Sequence, residues 1–184
     1  MRIIVGISGA SGIQYGVELL KALKAKKIET YLVMSEWAEK LIGIETDYDS
    51  EEVKKLATKS FGNMEMDAPI SSSSFLVDGM VVVPCSVKTA SEIANAHTGT
   101  LLTRAADNVL KMKKTLVLGV RETPLSTPAL EQMHKLSLAG AIVMPLAPGF
   151  YHKPKEIKDV FSFINGKIMD CLGIENTEFK RWDK

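Results

Sequence analysis

The chain is predicted to be a three-layer α/β protein with a doubly wound, mostly parallel sheet, and three observations predict it. Short apolar, β-branched runs alternate with amphipathic helical patterns from end to end. Glycine, serine, arginine and glutamate gather just after the strand runs, at Ser8 to Gly12, Ser35, Ser86 to Thr89, and Arg121-Glu122. That is the end of an open parallel sheet where ligands bind. With 184 residues, 46% of them apolar, one domain can enclose a core.

The elements follow in order. Residues 2–7 are the first expected strand and 13–25 the first helix, with Ile13, Val17 and Leu20 on one face, widened by Leu19 and Leu23. Residues 29–34 are a second strand. Ser35 is placed to cap a short helix holding Trp37, Leu41 and Ile42. Asp49, with Glu52 three residues on, marks a helix start near 51–59. Residues 79–83 form a buried-strand run that Pro84 ends, followed by a polar turn and a helix through Ile93. Thr100 is placed to cap a helix over 101–113, and 115–120 is the next strand. Thr127-Pro128 opens a helix with proline at its tolerated first position, and Gly140 closes it. Residues 141–144 are a short strand. The last helix, about 155–172, puts Ile157, Phe161, Ile164 and Ile168 on one side. The expected organisation is a single domain over 1–175 with a C-terminal tail over 176–184.

Composition removes several functions. Lys and Arg number 23 against 22 Asp and Glu, so net charge gives no reason to expect nucleic acid or an acidic membrane surface. No apolar stretch approaches the roughly 20 residues that span a bilayer. The start, Met1-Arg2-Ile3, runs straight into a strand and leaves no room for a signal peptide. Cys85 and Cys171 are too few for a disulfide scaffold, and His97, His134 and His152 lack metal-ligand spacing. The expectation is a cytoplasmic protein without a metal.

The turns carry the chemistry. "GISGASG", Gly6–Gly12, follows an apolar strand and opens a helix. It fails the GxGxxG frame and has no GK[ST], so it is neither a dinucleotide fingerprint nor a P-loop. Its small residues still let backbone N–H groups approach an anion, and Ser8 and Ser11 add hydroxyls. A tight turn without a ligand is the alternative. In "PCSVKT", Ser86, Lys88 and Thr89 can bind a phosphate, while Cys85 has no histidine nearby to activate it and suits packing better. Arg104 and Lys111 lie seven apart on one helical face, with Asp107 between them. They are either an ion-pair ladder or two cations aimed at a phosphate across a subunit boundary. "VRETP" puts Arg121 and Glu122 at a strand end, where an arginine fork matches two phosphate oxygens. "GIETD" offers Glu45 in an expected loop, and "APGFYHKP" displays Phe150, Tyr151 and His152.

Taken together, "GISGASGIQYG", "SSSF", "DGMVVVPCSVKT", "LLTRAAD", "VRETPLS", "GAIVMPLAPGFYHKP" and the closing "RW" resemble, in this order, the UbiX-type flavin prenyltransferases, also called phenylacrylic acid decarboxylase-like proteins. The resemblance runs from about Arg2 to Trp182. It implies a flavodoxin- or Rossmann-like, flavin-binding domain, assembled as a homo-dodecamer with sites between subunits. It implies an enzyme that joins the dimethylallyl group of dimethylallyl phosphate to N5 and C6 of reduced FMN, without a metal. The product, prenylated FMN, would serve a UbiD-type decarboxylase. By motif, Gly9, Ala10, Ser11, Ser35, Ser86, Val87, Lys88, Thr89 and Arg121 would contact FMN. Arg104, Lys111, Arg121, Tyr151 and Lys167 would meet the prenyl phosphate, and Ser11, Glu45 and Glu122 would handle protons and the leaving group. Trp182 or Phe150 would help enclose the site. Ser73 stands where the family shows glycine, and Thr100 where it shows asparagine.

Other readings remain beside this one. A flavin-dependent cysteine decarboxylase would carry a histidine in an early helix and a "PASANT"-like loop, and this chain has neither. A non-catalytic FMN-binding subunit of an aromatic acid decarboxylase complex would not need the second set of cations. An electron-transfer flavodoxin would be acidic.

Overall fold

The computed structural model describes residues 1–182. Among them, six strands form one sheet that is parallel throughout: β1 (Arg2–Ile7), β2 (Glu29–Met34), β3 (Lys59–Gly62), β4 (Gly79–Cys85), β5 (Thr115–Val120) and β6 (Ile142–Pro145). Their spatial order is β3-β2-β1-β4-β5-β6. The order reverses between β1 and β4, which makes the crevice beyond their carboxyl ends the expected ligand position. Seven helices are described: α1 (Ile13–Ala25), α2 (Glu36–Glu45), α3 (Ser50–Lys54), α4 (Val87–Ala94), α5 (Leu101–Lys111), α6 (Thr127–Leu138) and α7 (Ile157–Cys171).

Strand alternation sorts the core into two layers. Ile3, Val5, Ile7, Val81 and Val83 join α1 and α7 on one face. Ile4, Val33, Met80, Val82 and Leu116 join α4, α5 and α6 on the other. Gly16 is where α1 comes closest to the sheet. A Cβ there would stand 2.6 Å from the Val83 carbonyl oxygen and 2.8 Å from Ile7 Cδ1. Alanine favours a helix interior by under about 1 kcal/mol, whereas forcing atoms into a packed core costs about 1–3 kcal/mol. Gly16→Ala is therefore expected to lower the thermal midpoint by several degrees, and an unchanged midpoint would refute the close approach.

Four expectations need correction. Strand β3 had no apolar run to announce it, and most of it is exposed. It forms because the open edge of β2 supplies ladder partners, Tyr31 to Lys59 through Met34 to Gly62, and Phe61 stacks on Tyr31 with centroids 6.3 Å apart. Pro84 does not end β4. The ladder to β5 shifts register between Val82 and Cys85, so no N–H is required of the proline. The helix expected over 51–59 stops at Lys54, after a start closed by the Asp49–Glu52 capping box. Ile157, expected on the buried side of α7, is exposed, while Ile164 and Ile168 are buried. Helix α7 begins only at that residue, so it lies beyond the region that packs on α1.

Past α7, the chain turns back along the helix. Asn176 is buried and donates to the Gly166 carbonyl at 3.2 Å and to Asp170 Oδ1 at 2.9 Å. The last two residues of the expected tail, Asp183 and Lys184, lie outside the described residues.

Candidate active site

The β1 and β4 turns meet at the switch point through one buried serine. Ser8 N donates to the Pro84 carbonyl at 3.1 Å, and Ser8 Oγ donates to the same oxygen at 3.1 Å. The Oγ also accepts from Ser86 N at 2.7 Å. Ser8 is fully buried, so its hydroxyl joins two loops and is not the free ligand donor that the turn sequence suggested. Gly9 is exposed and presses against α2. A Cβ on it would lie 2.6 Å from Trp37 Cβ, which only glycine avoids.

Two helices open toward this crevice with serine caps. Ser35 Oγ accepts from Ala38 N at 3.2 Å and opens α2. Ser86 Oγ accepts from Thr89 N at 3.2 Å and opens α4. Each cap satisfies one amide of the first turn. Those of Glu36, Trp37, Val87 and Lys88 have no protein acceptor among the described residues. Free amides at two helix starts attract an anion. Gly9, Ser35, Ser86, Lys88, Thr89 and Thr100 line a cleft of about 320 Å³ at this point. Hydroxyls, amides and a lysine, with Trp37 alongside, form a donor set that fits a phosphorylated polyol such as the tail of FMN. Lys88 meanwhile pairs with Glu92 at 2.8 Å, as a surface lysine does.

Ala10, Ser11 and Gly12 complete the first turn, with Gly12 in the left-handed region at φ 97°. Glu45, expected in a loop, is the last residue of α2. Its Oε2 accepts from Gly12 N at 2.8 Å and Ile13 N at 3.0 Å, so the carboxylate itself caps α1. This brings Glu45 beside Ser11, and its Oε1 has no partner among the described residues. Across the crevice, Arg121 follows β5 and its backbone N donates to the Cys85 carbonyl at 3.1 Å. Glu122 is exposed and accepts from Thr123 N at 2.9 Å.

The remaining predicted residues do not all reach this rim. Arg104 lies one turn into α5 and makes no side-chain hydrogen bond or ion pair among the described residues. Lys111 ends α5 and pairs with Asp107 at 3.2 Å. It sits at the start of β5, a strand's length from Arg121. Tyr151 and Lys167 form a separate group on the flank around Phe163. The Tyr151 ring lies 5.7 Å from Phe163 and 5.2 Å from Trp182. Lys167 Nζ lies 5.9 Å from the centroid of Phe163 and 5.2 Å from that of Phe179. Phe150 is exposed beside them.

Cys85 is buried, and burial pushes its thiol up to about 12, so it is packing and not a nucleophile. No group of three His, Cys, Asp or Glu that could hold a metal ion occurs among the described residues. Sequence reasoning missed Asn63. Its carbonyl accepts from Leu101 N at 2.8 Å and its side-chain oxygen from Leu102 N at 3.1 Å. With the Thr100–Thr103 capping box it fixes the start of α5 at the cleft edge. The only signal was a Gly62-Asn63 turn after a strand that sequence alone did not reveal.

Fold and site together define a doubly wound α/β protein built to hold a phosphorylated cofactor at the switch point. Residues 1–169 match the Flavoprotein family. Flavin prenyltransferase UbiX of Thermoplasma acidophilum is 48% identical over 182 residues, covering 99% of this chain and all of that one. The crystal structure of AnUbiX (PadA1) in complex with FMN and dimethylallyl pyrophosphate superposes with a TM-score of 0.98 at 42% identity, covering 100% of this chain and 97% of the other. A dodecameric FMN-dependent UbiX-like decarboxylase from Escherichia coli O157:H7 superposes at 0.97 with 43% identity, covering both chains in full. The chain belongs to the flavoprotein family, in its branch of UbiX-type flavin prenyltransferases.

Proposed function

We propose that this chain is a flavin prenyltransferase. It transfers the dimethylallyl group of dimethylallyl phosphate to N5 and C6 of reduced FMN and releases prenylated FMN to a UbiD-type decarboxylase. The whole-chain likeness to a relative solved with FMN and dimethylallyl pyrophosphate carries this reading. The open amides at the starts of α2 and α4 support it, since they suit the flavin phosphate.

Reduced FMN supplies an electron-rich ring able to attack an allylic carbon. The protein does the rest by positioning and charge. Gly9, Ala10, Ser11, Ser35 and Ser86 to Thr89 would hold FMN, and Arg121 would contact both ligands. As the C–O bond of the prenyl phosphate breaks, negative charge grows on oxygen. Arg104, Lys111, Arg121, Tyr151 and Lys167, contributed by more than one subunit, would stabilise it. Trp182 or Phe150 would help shield the allylic centre from water. Glu122 holds the leaving-group end, and Ser11 with the free oxygen of Glu45 takes the proton released on ring closure. In this reading the reaction needs no metal and takes place in the cytoplasm.

One chain cannot complete that site. Exposed Trp37, Ile44, Leu76, Phe150, Ile157 and Trp182 leave apolar surface for neighbouring subunits, and the Escherichia coli relative is dodecameric. We expect the same assembly here.

The test is anaerobic incubation of purified protein with reduced FMN and either dimethylallyl phosphate or the pyrophosphate, followed by mass spectrometry. A flavin heavier by one five-carbon unit is expected, with Glu122→Gln slowing its formation by about a hundredfold. Unmodified flavin from protein that binds FMN would overturn the reading in favour of a binding subunit.

A further inference from the structure

The flank of α7 holds a charge arrangement of which the mechanism above uses only Lys167. Lys167 and Asp170 are three residues apart on the helix, so their side chains are neighbours. A lysine and an aspartate so placed tend to pair, as Lys111 and Asp107 do at a spacing of four. Lys167 has no such bond among the described residues. Both oxygens of Asp170 are already engaged. Arg181 Nη1 donates to Oδ2 at 3.0 Å and Nη2 to Oδ1 at 2.8 Å, while Asn176 Nδ2 donates to Oδ1 at 2.9 Å. A two-pronged guanidinium outcompetes an ammonium for a carboxylate. That contact holds the Asp170 carboxyl below the usual carboxylate range, with Arg181 the largest cause.

Arg181 is held in turn. Its guanidinium lies 5.2 Å from the Phe179 centroid, and Nη2 reaches the Asn176 carbonyl at 3.4 Å. Phe179 fits a notch at Gly166, where an added Cβ would lie 2.3 Å from the ring. Beside this arrangement lies Lys167, whose ammonium rests near two aromatic rings and has no acidic partner within bonding distance among the described residues.

We propose that Arg181 is a positioning residue: by occupying Asp170 it keeps the Lys167 ammonium free to grip the prenyl phosphate. This rests on the reading that Lys167 belongs to the substrate site. Without Arg181, Asp170 recaptures Lys167, and the substrate anion must compete with an internal carboxylate one helical turn away.

The test compares FMN-loaded wild type, Arg181→Gln, Asp170→Asn and the double variant. Calorimetric Kd for dimethylallyl phosphate is measured on each, beside KM and kcat for transfer. Arg181→Gln is expected to raise Kd and KM roughly tenfold, the order of one lost charge-assisted contact, with kcat within about twofold. The double variant is expected to return Kd to within about threefold of wild type, because the competing carboxylate is gone. An unchanged Kd in Arg181→Gln overturns the proposal. So does a double variant as weak as the single one, since Arg181 would then act through the fold or touch the phosphate itself. If the wild type binds dimethylallyl phosphate but makes no prenylated flavin, the functional reading falls while the Kd comparison still decides the role of Arg181. A wild type that does not bind it overturns both.

Discussion

Assemblies that mix Lys111→Ala and Arg121→Ala chains are expected to regain about a quarter of wild-type transfer activity, although each variant alone falls below about one hundredth. The reason is distance along one strand. Lys111 closes α5 just before β5 begins at Thr115, and Arg121 follows Val120 at the other end of β5. Six extended residues span roughly 20 Å. Two side chains of one chain cannot close that gap around a single phosphate, so a shared phosphate requires Lys111 from one subunit and Arg121 from another. In a random equal mixture, one site in about four inherits both native residues. Co-expression with two different tags, tandem purification and an initial-rate assay would measure it. A mixture no better than its parents would mean that the two cations never serve the same site.

The second large effect concerns the joint between the β1 and β4 turns. Ser8→Ala removes the acceptor of Ser86 N at 2.7 Å and leaves that N–H without a partner. The Pro84 carbonyl keeps its bond from Ser8 N at 3.1 Å, so only one of the two groups is orphaned. An unsatisfied buried donor costs about 1–3 kcal/mol. The urea midpoint should fall accordingly with the slope unchanged. FMN affinity should fall about tenfold as well, because Ser86 opens α4 and its shift moves the amides proposed to meet the phosphate. Lost stability with intact FMN binding would separate the serine joint from the cofactor cleft. No loss of either would show that the joint is incidental.

Much of this architecture was readable in the chain. Strands with apolar residues on both faces, such as Ile3 to Ile7 and Met80 to Val83, announce a sheet covered on two sides. The caps at Ser35, Ser86 and Thr100 were legible because a helix start needs a side-chain acceptor at one defined position. The candidate site was legible only as residue types: small residues that let backbone approach an anion, and an arginine whose fork matches two oxygens. Strand β3 was not, because Lys59 to Gly62 has no pattern of its own and is extended only by pairing with β2.

The amino-acid order by itself determined the alternating elements, their caps and the inventory of anion-binding groups, since these depend on spacing within a few residues. Only the tertiary structure decided that Ser8 is a joint, that Glu45 caps α1, that Arg181 occupies both oxygens of Asp170, and that Lys111 stands a strand's length from Arg121. Each of those facts is a meeting or a separation between different elements of the fold, ten or more residues apart in the chain, and no pattern within a few residues encodes a distance in space.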